Sequence, residues 1–348
     1  MKFVRYILLL ACAIISVVTL SAQQTHRVVE YTNTVNPKQS ARMTSNGILI
    51  VGKVPTARAM SGFYGKSSAS SASIDCCSFY RSTLGDDINI YLMAIPSAAA
   101  FYTPDAARSW IRSEADVLNA IYAGLDTSIT IVDVYSALAV HADEDIYSRT
   151  DHHWAPLGGY YAAECLAEAA GLPFNDLTHY QSVEVPNYVG TMYSFSQDVA
   201  VLHSPETFVY HKPQNIDYTT TYITYSLAAD HKTIIGESKP KQGSYFYDFR
   251  GAGAYCSFMG SDSKITQVRT ATNNGRRMLI IKDSFGNAIP GYLFYTFEEI
   301  HVVDFRFFNK NLKKYIEDNA ITDVVISANM AFICSQSVMA KYKRLLTK

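Results

Sequence analysis

Short apolar runs closed by glycine or proline recur along this chain, and stretches of helical spacing separate them. Asn46-Gly47-Ile48-Leu49-Ile50-Val51-Gly52 predicts a short strand stopped by glycine. Ser61–Ser73, rich in Ser, Gly and Ala, reads as a loop or helix entry. Ile88–Ile95 (INIYLMAI) has the pattern of a buried strand ending at Pro96-Ser97. Pro104–Gly124 places Ala107, Trp110, Ile111, Ala115, Val117 and Leu118 at helical spacing, and Ile129–Val134 (ITIVDV) predicts the next strand. Residues 155–170 predict a helix stopped at Gly171-Leu172-Pro173. The alternation resumes with strand Met278–Lys282, a helix over 286–297, strand Ile300–Asp304, helix Leu312–Asn319, strand Asp323–Ser327 and a last helix over 335–346. Such alternation predicts an α/β domain with a mainly parallel sheet and helical crossovers. Two stretches depart from it. Residues 23–45 read as a polar, weakly structured lead-in, and 179–275, rich in Tyr, Thr, Ser and Gly, read as an irregular β-rich insertion.

The amino terminus reads as an address. Lys2 and Arg5 precede an almost wholly apolar stretch, Tyr6–Leu20, followed by Ser21-Ala22-Gln23-Gln24. That stretch is about 15 residues, short of the roughly 20 that span a bilayer, so an export signal over 1–22 and a secreted or periplasmic mature chain are expected, with membrane association left open. Formal net charge is −1, with no basic stripe, which argues against nucleic acid as a partner. Beyond the leader, Cys76, Cys77, Cys165, Cys256 and Cys334 remain; an odd number cannot all pair within one chain, and no Cys-x-x-Cys spacing offers a metal or redox site. Most read as small buried residues, with room for one disulfide.

Chemistry concentrates in two stretches. Asp151-His152-His153-Trp154 supplies an Asp-x-His unit, and Lys282-Asp283-Ser284-Phe285-Gly286-Asn287 puts a serine at the exit of the apolar run Met278–Ile281. A serine nucleophile needs a base, and the base needs a carboxylate to hold its tautomer. The carboxyl edge of an open parallel sheet is where such folds place sites. Other readings stand beside this one. Ser284 and Asp151 are also suitable helix caps. Asp151, His152 and His153 also have the residue types of a metal cluster, although no further ligand offers itself and no metal is expected. Arg306 reads as a substrate contact or as a clamp on Asp304, and Asn287 as an oxyanion donor or a turn residue. Gly251-x-Gly253 lacks the spacing of a dinucleotide fingerprint.

The block Ile146-Tyr147-Ser148-Arg149-Thr150-Asp151-His152-His153-Trp154, with Gly158-Gly159-Tyr160 after it, resembles the signature of the bacterial DHHW family. Lys282–Asn287 and Val303-Asp304-Phe305-Arg306 resemble later blocks of that family in the same order, and the likeness runs from about Asn46 to the end. The family is similar to the SGNH-type domains of periplasmic alginate O-acetyltransferases. The resemblance implies an SGNH-hydrolase-like α/β/α sandwich over 46–348, with Ser284 as nucleophile, His153 as base and Asp151 orienting it. It leaves His152 outside the triad and gives Asn287, Arg306 and Tyr188, the last in the loop Tyr188-Val189-Gly190, weaker oxyanion or substrate roles. The order is permuted relative to ordinary SGNH esterases, whose serine block comes first. The implied function is an exported O-acetyltransferase or O-acetylesterase acting on a cell-envelope or extracellular polysaccharide, with a membrane acyl-transfer partner and no cofactor. Two alternatives are a glycan-binding or assembly protein that performs no chemistry, and a metal-dependent hydrolase built on Asp151, His152 and His153.

Overall fold

Burial of the run Ile90–Ile95 sets the centre of the molecule: every one of its side chains is buried. The computed structural model describes residues 25–348, so the expected export segment lies outside the described residues. The strands in chain order are β1 (Ala41–Met43), β2 (Ile48–Val51), β3 (Arg58–Ser61), β4 (Asn89–Ile95), β5 (Ile129–Ile131), β6 (Tyr180–Tyr188) and β7 (Glu206–Pro213). They continue as β8 (Tyr218–Leu227), β9 (Ile234–Glu237), β10 (Lys241–Gly243), β11 (Lys264–Thr270), β12 (Arg277–Lys282), β13 (Glu299–Asp304) and β14 (Asp323–Asn329).

The central sheet runs β10-β8-β11-β13-β12-β14-β4-β5, with β9 paired to β8. From β13 to β5 every pairing is parallel, while β11 and β8 add antiparallel strands beside β13. The parallel strands are continuous apolar runs because helices pack on the sheet: Ser71–Leu84, Val134–Ala139 and Met330–Ile333 each contact β4. Helix Gln336–Leu345 locks on through Tyr342, which donates to Ser327 O (2.8 Å) and receives Tyr80 Oη at its carbonyl (2.9 Å). β12 leads to β13 on one side, whereas β14 and β4 lie on its other side. The carboxyl end of β12 therefore sits where the strand order reverses, the usual crevice of open α/β sheets.

Residues 179–275 are β-rich, and much of the stretch is continuous with the central sheet rather than apart from it. Strand β8 pairs with β11 over seven residues, and only β6 and β7 form a ribbon of their own. Three local expectations need correction. The stretch Pro104–Gly124 is not one helix: a short 3-10 turn, Asp105–Trp110, is followed by extended backbone at Ile111, and Ser113 caps a new helix, Glu114–Gly124, by accepting from Asp116 N. The strand at Ile129 ends at Ile131, because Asp133 accepts from Ser136 N and starts the helix Val134–Ala139. No α-helix follows Ser284. Residues Ser284–Ala288 and Pro290–Leu293 form 3-10 turns, since Pro290 has no N–H to offer the Gly286 carbonyl.

The described cysteines are free thiols. Burial pushes the Cys76 thiol up to about 12 and that of Cys77 well above its ordinary range, so both pack as inert small residues. No described helix is long and apolar enough to cross a membrane.

Candidate active site

Two chain segments, 131 residues apart at their contact, meet at the carboxyl edge of β12. Ser284 leaves the strand on a turn that Asp283 holds: one carboxylate oxygen accepts from Phe285 N (2.9 Å), the other from Asn329 N (2.9 Å) and Nδ2 (2.6 Å) at the end of β14. Trp154 joins the blocks by donating Nε1–H to Phe285 O (3.0 Å), and the Tyr255 hydroxyl reaches the carbonyls of Ser284 (2.9 Å) and Phe285 (3.0 Å).

His153 Nε2 lies 2.8 Å from Ser284 Oγ, and His153 Nδ1 lies 2.6 Å from Asp151 Oδ1. Asp151 is buried and accepts on both oxygens: Oδ1 also takes His153 N (3.0 Å), and Oδ2 takes Thr191 N (2.8 Å) and Oγ1 (3.0 Å). Burial opposes its ionisation. The hydrogen bond and charge of His153, with His152 and Thr191, outweigh this and hold the carboxyl well below the usual range. An ionised Asp151 can only accept, so His153 Nδ1 carries the proton and bare Nε2 faces the serine hydroxyl. Glu206 pins the preceding turn, its carboxylate accepting from Arg149 N, Thr150 N and Thr150 Oγ1.

The His153 ring is held on both faces. Tyr255 stacks on it at 3.8 Å with a 5° interplanar angle, and His152 lies 3.7 Å away at 39°. Two rings that close cannot share one face, so they flank the imidazole. Burial, then the charge of His153, pulls His152 down to about 4.

The weaker candidates fall in two places. Tyr188 is fully buried, and its hydroxyl completes no hydrogen bond; burial, then the neighbouring Asp151, pushes the phenol upward. Asn287 and Arg306 instead meet at Asp262. Asn287 Nδ2 donates to Asp262 Oδ1 (2.9 Å), leaving its buried Oδ1 unpartnered. Arg306 forks onto Asp304 (2.8 and 2.7 Å) and reaches Asp262 (2.8 Å). Buried Lys282 closes the network on Asp262 (2.7 Å) and Asp304 (3.1 Å). Of the two readings of Arg306, the clamp on Asp304 is the contact it makes.

Sequence reasoning missed Tyr255, Thr191, Glu206 and Asp262. Tyr255 sits in the glycine-bearing stretch Gly251–Gly260, where one tyrosine among many carries no signal, and Asp262 belongs to no motif. Asp151, His152 and His153 do bring potential ligand atoms within 4.8 Å of one another. They do not fit a metal: both Asp151 oxygens accept N–H or O–H groups, His153 spends its nitrogens on Asp151 and Ser284, and His152 Nδ1 is on Thr191 Oγ1 (2.6 Å).

The fold is that of the SGNH-like α/β domains, with a serine, a histidine and an aspartate gathered at the carboxyl edge of the parallel sheet. Within that class the chain belongs to the DHHW protein family, whose sequence profile matches residues 34–303. A DHHW family protein from Eubacterium siraeum DSM 15702 is 35% identical over 88% of this chain and 98% of that one, with a TM-score of 0.78. Bacillus cereus PatB1, solved with a sulfonyl adduct, shares the fold at 17% identity over 87% of this chain and 98% of its own, with a TM-score of 0.62. The O-acetyltransferase domain of Pseudomonas putida AlgJ matches over 88% of this chain and 99% of its own at 14% identity, with a TM-score of 0.44. No curated protein matches the chain in sequence.

Proposed function

We propose that this chain is an exported serine acyl enzyme that transfers or removes an acetyl group on a glycan, with Ser284 as nucleophile, His153 as base and Asp151 as the orienting carboxylate. The observation that carries the reading is the unbroken line Asp151 Oδ1–His153 Nδ1 (2.6 Å), His153 Nε2–Ser284 Oγ (2.8 Å). As Oγ bonds to the acyl carbon, its proton passes to Nε2. The imidazolium then protonates the leaving oxygen as the old ester bond breaks. In the second half, an acceptor hydroxyl, or water in an esterase, attacks the acyl-serine and returns a proton to Oγ through the same nitrogen. Asn287 Nδ2 is already engaged by Asp262, so the Ser284 amide is the better oxyanion donor. Tyr188 backs Asp151, and Arg306 stands at the rim. The glycan class is proposed from the signature block, through its resemblance to the alginate O-acetyltransferase domains, and the membrane acyl-transfer partner stays part of the proposal.

The reported PatB1 adduct recommends the reagent for the test. Residues 23–348 are treated with a sulfonyl fluoride and assayed on p-nitrophenyl acetate. One adduct on Ser284 is expected, with none in Ser284→Ala, and turnover in His153→Ala is expected to fall by about a hundredfold or more. Ser284→Ala that labels and turns over like the parent chain overturns the assignment.

A further inference from the structure

His152 lies beside the base with no role in the steps above, and its hydrogen bonds give it one free, oriented nitrogen. The Thr191 hydroxyl has one proton, and it goes to the Asp151 carboxylate, the stronger acceptor, at Oδ2 (3.0 Å). The 2.6 Å contact between Thr191 Oγ1 and His152 Nδ1 must then have His152 as the donor. That tautomer leaves Nε2 as a bare lone pair, and among the described residues no hydrogen bond engages it. Its direction follows from the stack. Both Nδ1 atoms lie near Asp151 Oδ1, at 2.6 Å for His153 and 3.7 Å for His152. His152 Nδ1 is anchored on Thr191 and His153 Nδ1 on Asp151, to which Thr191 is itself bonded, so with the ring centres 3.7 Å apart the Nε2 atoms of both rings lie on the side away from that carboxylate. The side chain is 27% exposed, enough for a ligand to reach.

A lone pair there repels the carbonyl of an acyl-serine and demands an O–H donor. The attacking hydroxyl cannot supply it, because its single proton must face His153 Nε2. The donor must be a second hydroxyl on the same molecule. His152 also walls a cavity of about 230 Å³ that is mainly apolar, lined by Met60, Phe63, Phe285, Met330 and Phe332. Such walls favour a carbon skeleton over free water. The ring separation is one that neighbouring hydroxyls of a sugar can span.

We propose that His152 is a specificity residue for the acyl acceptor: its Nε2 accepts a hydrogen bond from the hydroxyl adjacent to the one that attacks, so the enzyme prefers vicinal diols to monohydric alcohols. The proposal rests on Ser284 being the nucleophile. In the step it governs, the acceptor oxygen bonds to the acyl carbon, the Ser284 Oγ–acyl bond breaks, and the acceptor proton moves through His153 Nε2 to Oγ. His152 binds and does not exchange a proton.

The test is competition between acceptors. The chain of residues 23–348 is acylated with p-nitrophenyl acetate in an equimolar mixture of ethylene glycol and ethanol, and the two acetate esters are quantified. The parent chain is expected to favour the glycol ester. His152→Phe keeps a ring without the lone pair, and the preference is expected to fall about tenfold, the effect of one neutral hydrogen bond. His152→Gln, whose amide oxygen can accept, is expected to retain part of it. The ratio is set after acylation, so slower acylation or partial misfolding does not move it. Should His152→Phe fail to fold, His152→Met gives the same comparison. An unchanged ratio in Phe or Met, or a parent chain without glycol preference, overturns the proposal. A parent chain that releases no p-nitrophenol, or Ser284→Ala that releases it at the parent rate, overturns the nucleophile assignment and this proposal with it.

Discussion

Gly190→Ala tests how Asp151 is held. Gly190 is buried just beyond β6, and its N–H donates to Thr150 Oγ1 (3.1 Å). A Cβ at this position would stand 2.7 Å from Asp151 Cγ and nearer still to its Oδ2 and Cβ. The clash is with the carboxylate itself, and its backbone conformation is not in the left-handed region, so steric contact alone decides the outcome. One side must move. Asp151 resists through its bonds to His153 N, His153 Nδ1, Thr191 N and Thr191 Oγ1. If the backbone yields, the cost is that of overpacking, about 1–3 kcal/mol. That lowers the melting temperature by roughly 1–5 °C for a domain of this size. If the carboxylate swings, a charge-assisted bond worth about 1.5–3 kcal/mol is weakened at the moment the imidazole becomes charged. That corresponds to about a ten- to hundredfold loss in kcat/KM. The assay is p-nitrophenyl acetate turnover alongside a melting curve. Gly253→Ala serves as the control, since a Cβ there meets nothing within 4 Å. If Gly190→Ala matches the parent chain in both kcat/KM and melting temperature, the packing of Gly190 against Asp151 has no energetic consequence and the reasoning fails.

Burial pushes the Glu114 carboxyl up to about 7, against hydrogen bonds from Ser97 N (3.0 Å) and Oγ (2.5 Å). Its folded value lies above the unfolded value of about 4.3, so this contribution is fully present below about pH 4.3 and is lost as pH rises through about 7. Glu114→Gln should therefore gain melting temperature over the parent chain at about pH 8 relative to about pH 5; identical pH slopes for the two chains would rule this out. The Tyr255 ring covers one face of His153, and its hydroxyl holds the Ser284 and Phe285 carbonyls. Tyr255→Leu removes both and should lower kcat/KM about tenfold or more, with Tyr255→Phe intermediate, since the stack with an imidazolium and the hydrogen bonds are each worth about 1 kcal/mol. Parent-like kinetics in Tyr255→Leu would show that the stack is idle.

The parallel strands were legible because their signal is local. A strand buried on both faces reads as a continuous apolar run, and Ile90–Ile95, Met278–Ile281 and Val324–Ile326 announce themselves without tertiary information. Helical periodicity was less reliable. Apolar spacing across Pro104–Gly124 satisfied a helix, yet Arg112 N bonds to Phe63 O (2.8 Å), a contact 49 positions away that no periodicity reports. The same limit applies to the site. Ser284, His153 and Asp151 were readable because the two blocks carry a specific order of residue types. Tyr255 and Thr191 act through stacking and one hydroxyl, and neither leaves a pattern in the chain. Tyr188, Asn287 and Arg306 were named from the resemblance; Tyr188 lies beside Asp151, whereas the partners of Asn287 and Arg306 depend on Asp262, which was invisible until the turn before β11 met the end of β12.

The absence of an α-helix after Ser284 raises the question of what keeps the serine in place, since a short turn has little rigidity of its own. The answer lies in the ends of neighbouring strands. Asp283, at the end of β12, is fixed by Asn329 of β14 through two bonds. Lys282 extends from β12 to Asp304 of β13, and Arg306 covers the same carboxylate while reaching Asp262 ahead of β11. Burial of Lys282 works against its charge, but Asp262 and Asp304 more than offset this and raise its pKa. For Asp262, burial is likewise outweighed by Lys282 and Arg306, which hold its carboxyl well below the usual range. Removing one partner of such a buried set leaves an uncompensated charge and costs more than the pair contributes as a whole. The network therefore makes displacement of any one strand end expensive, and Asn287 ties the serine turn to it through Asp262 (2.9 Å). Three strand ends and one loop thus perform the positioning that a helix following the serine would otherwise perform. This explains why charged residues stand at the carboxyl edge of strands whose middles are mainly apolar.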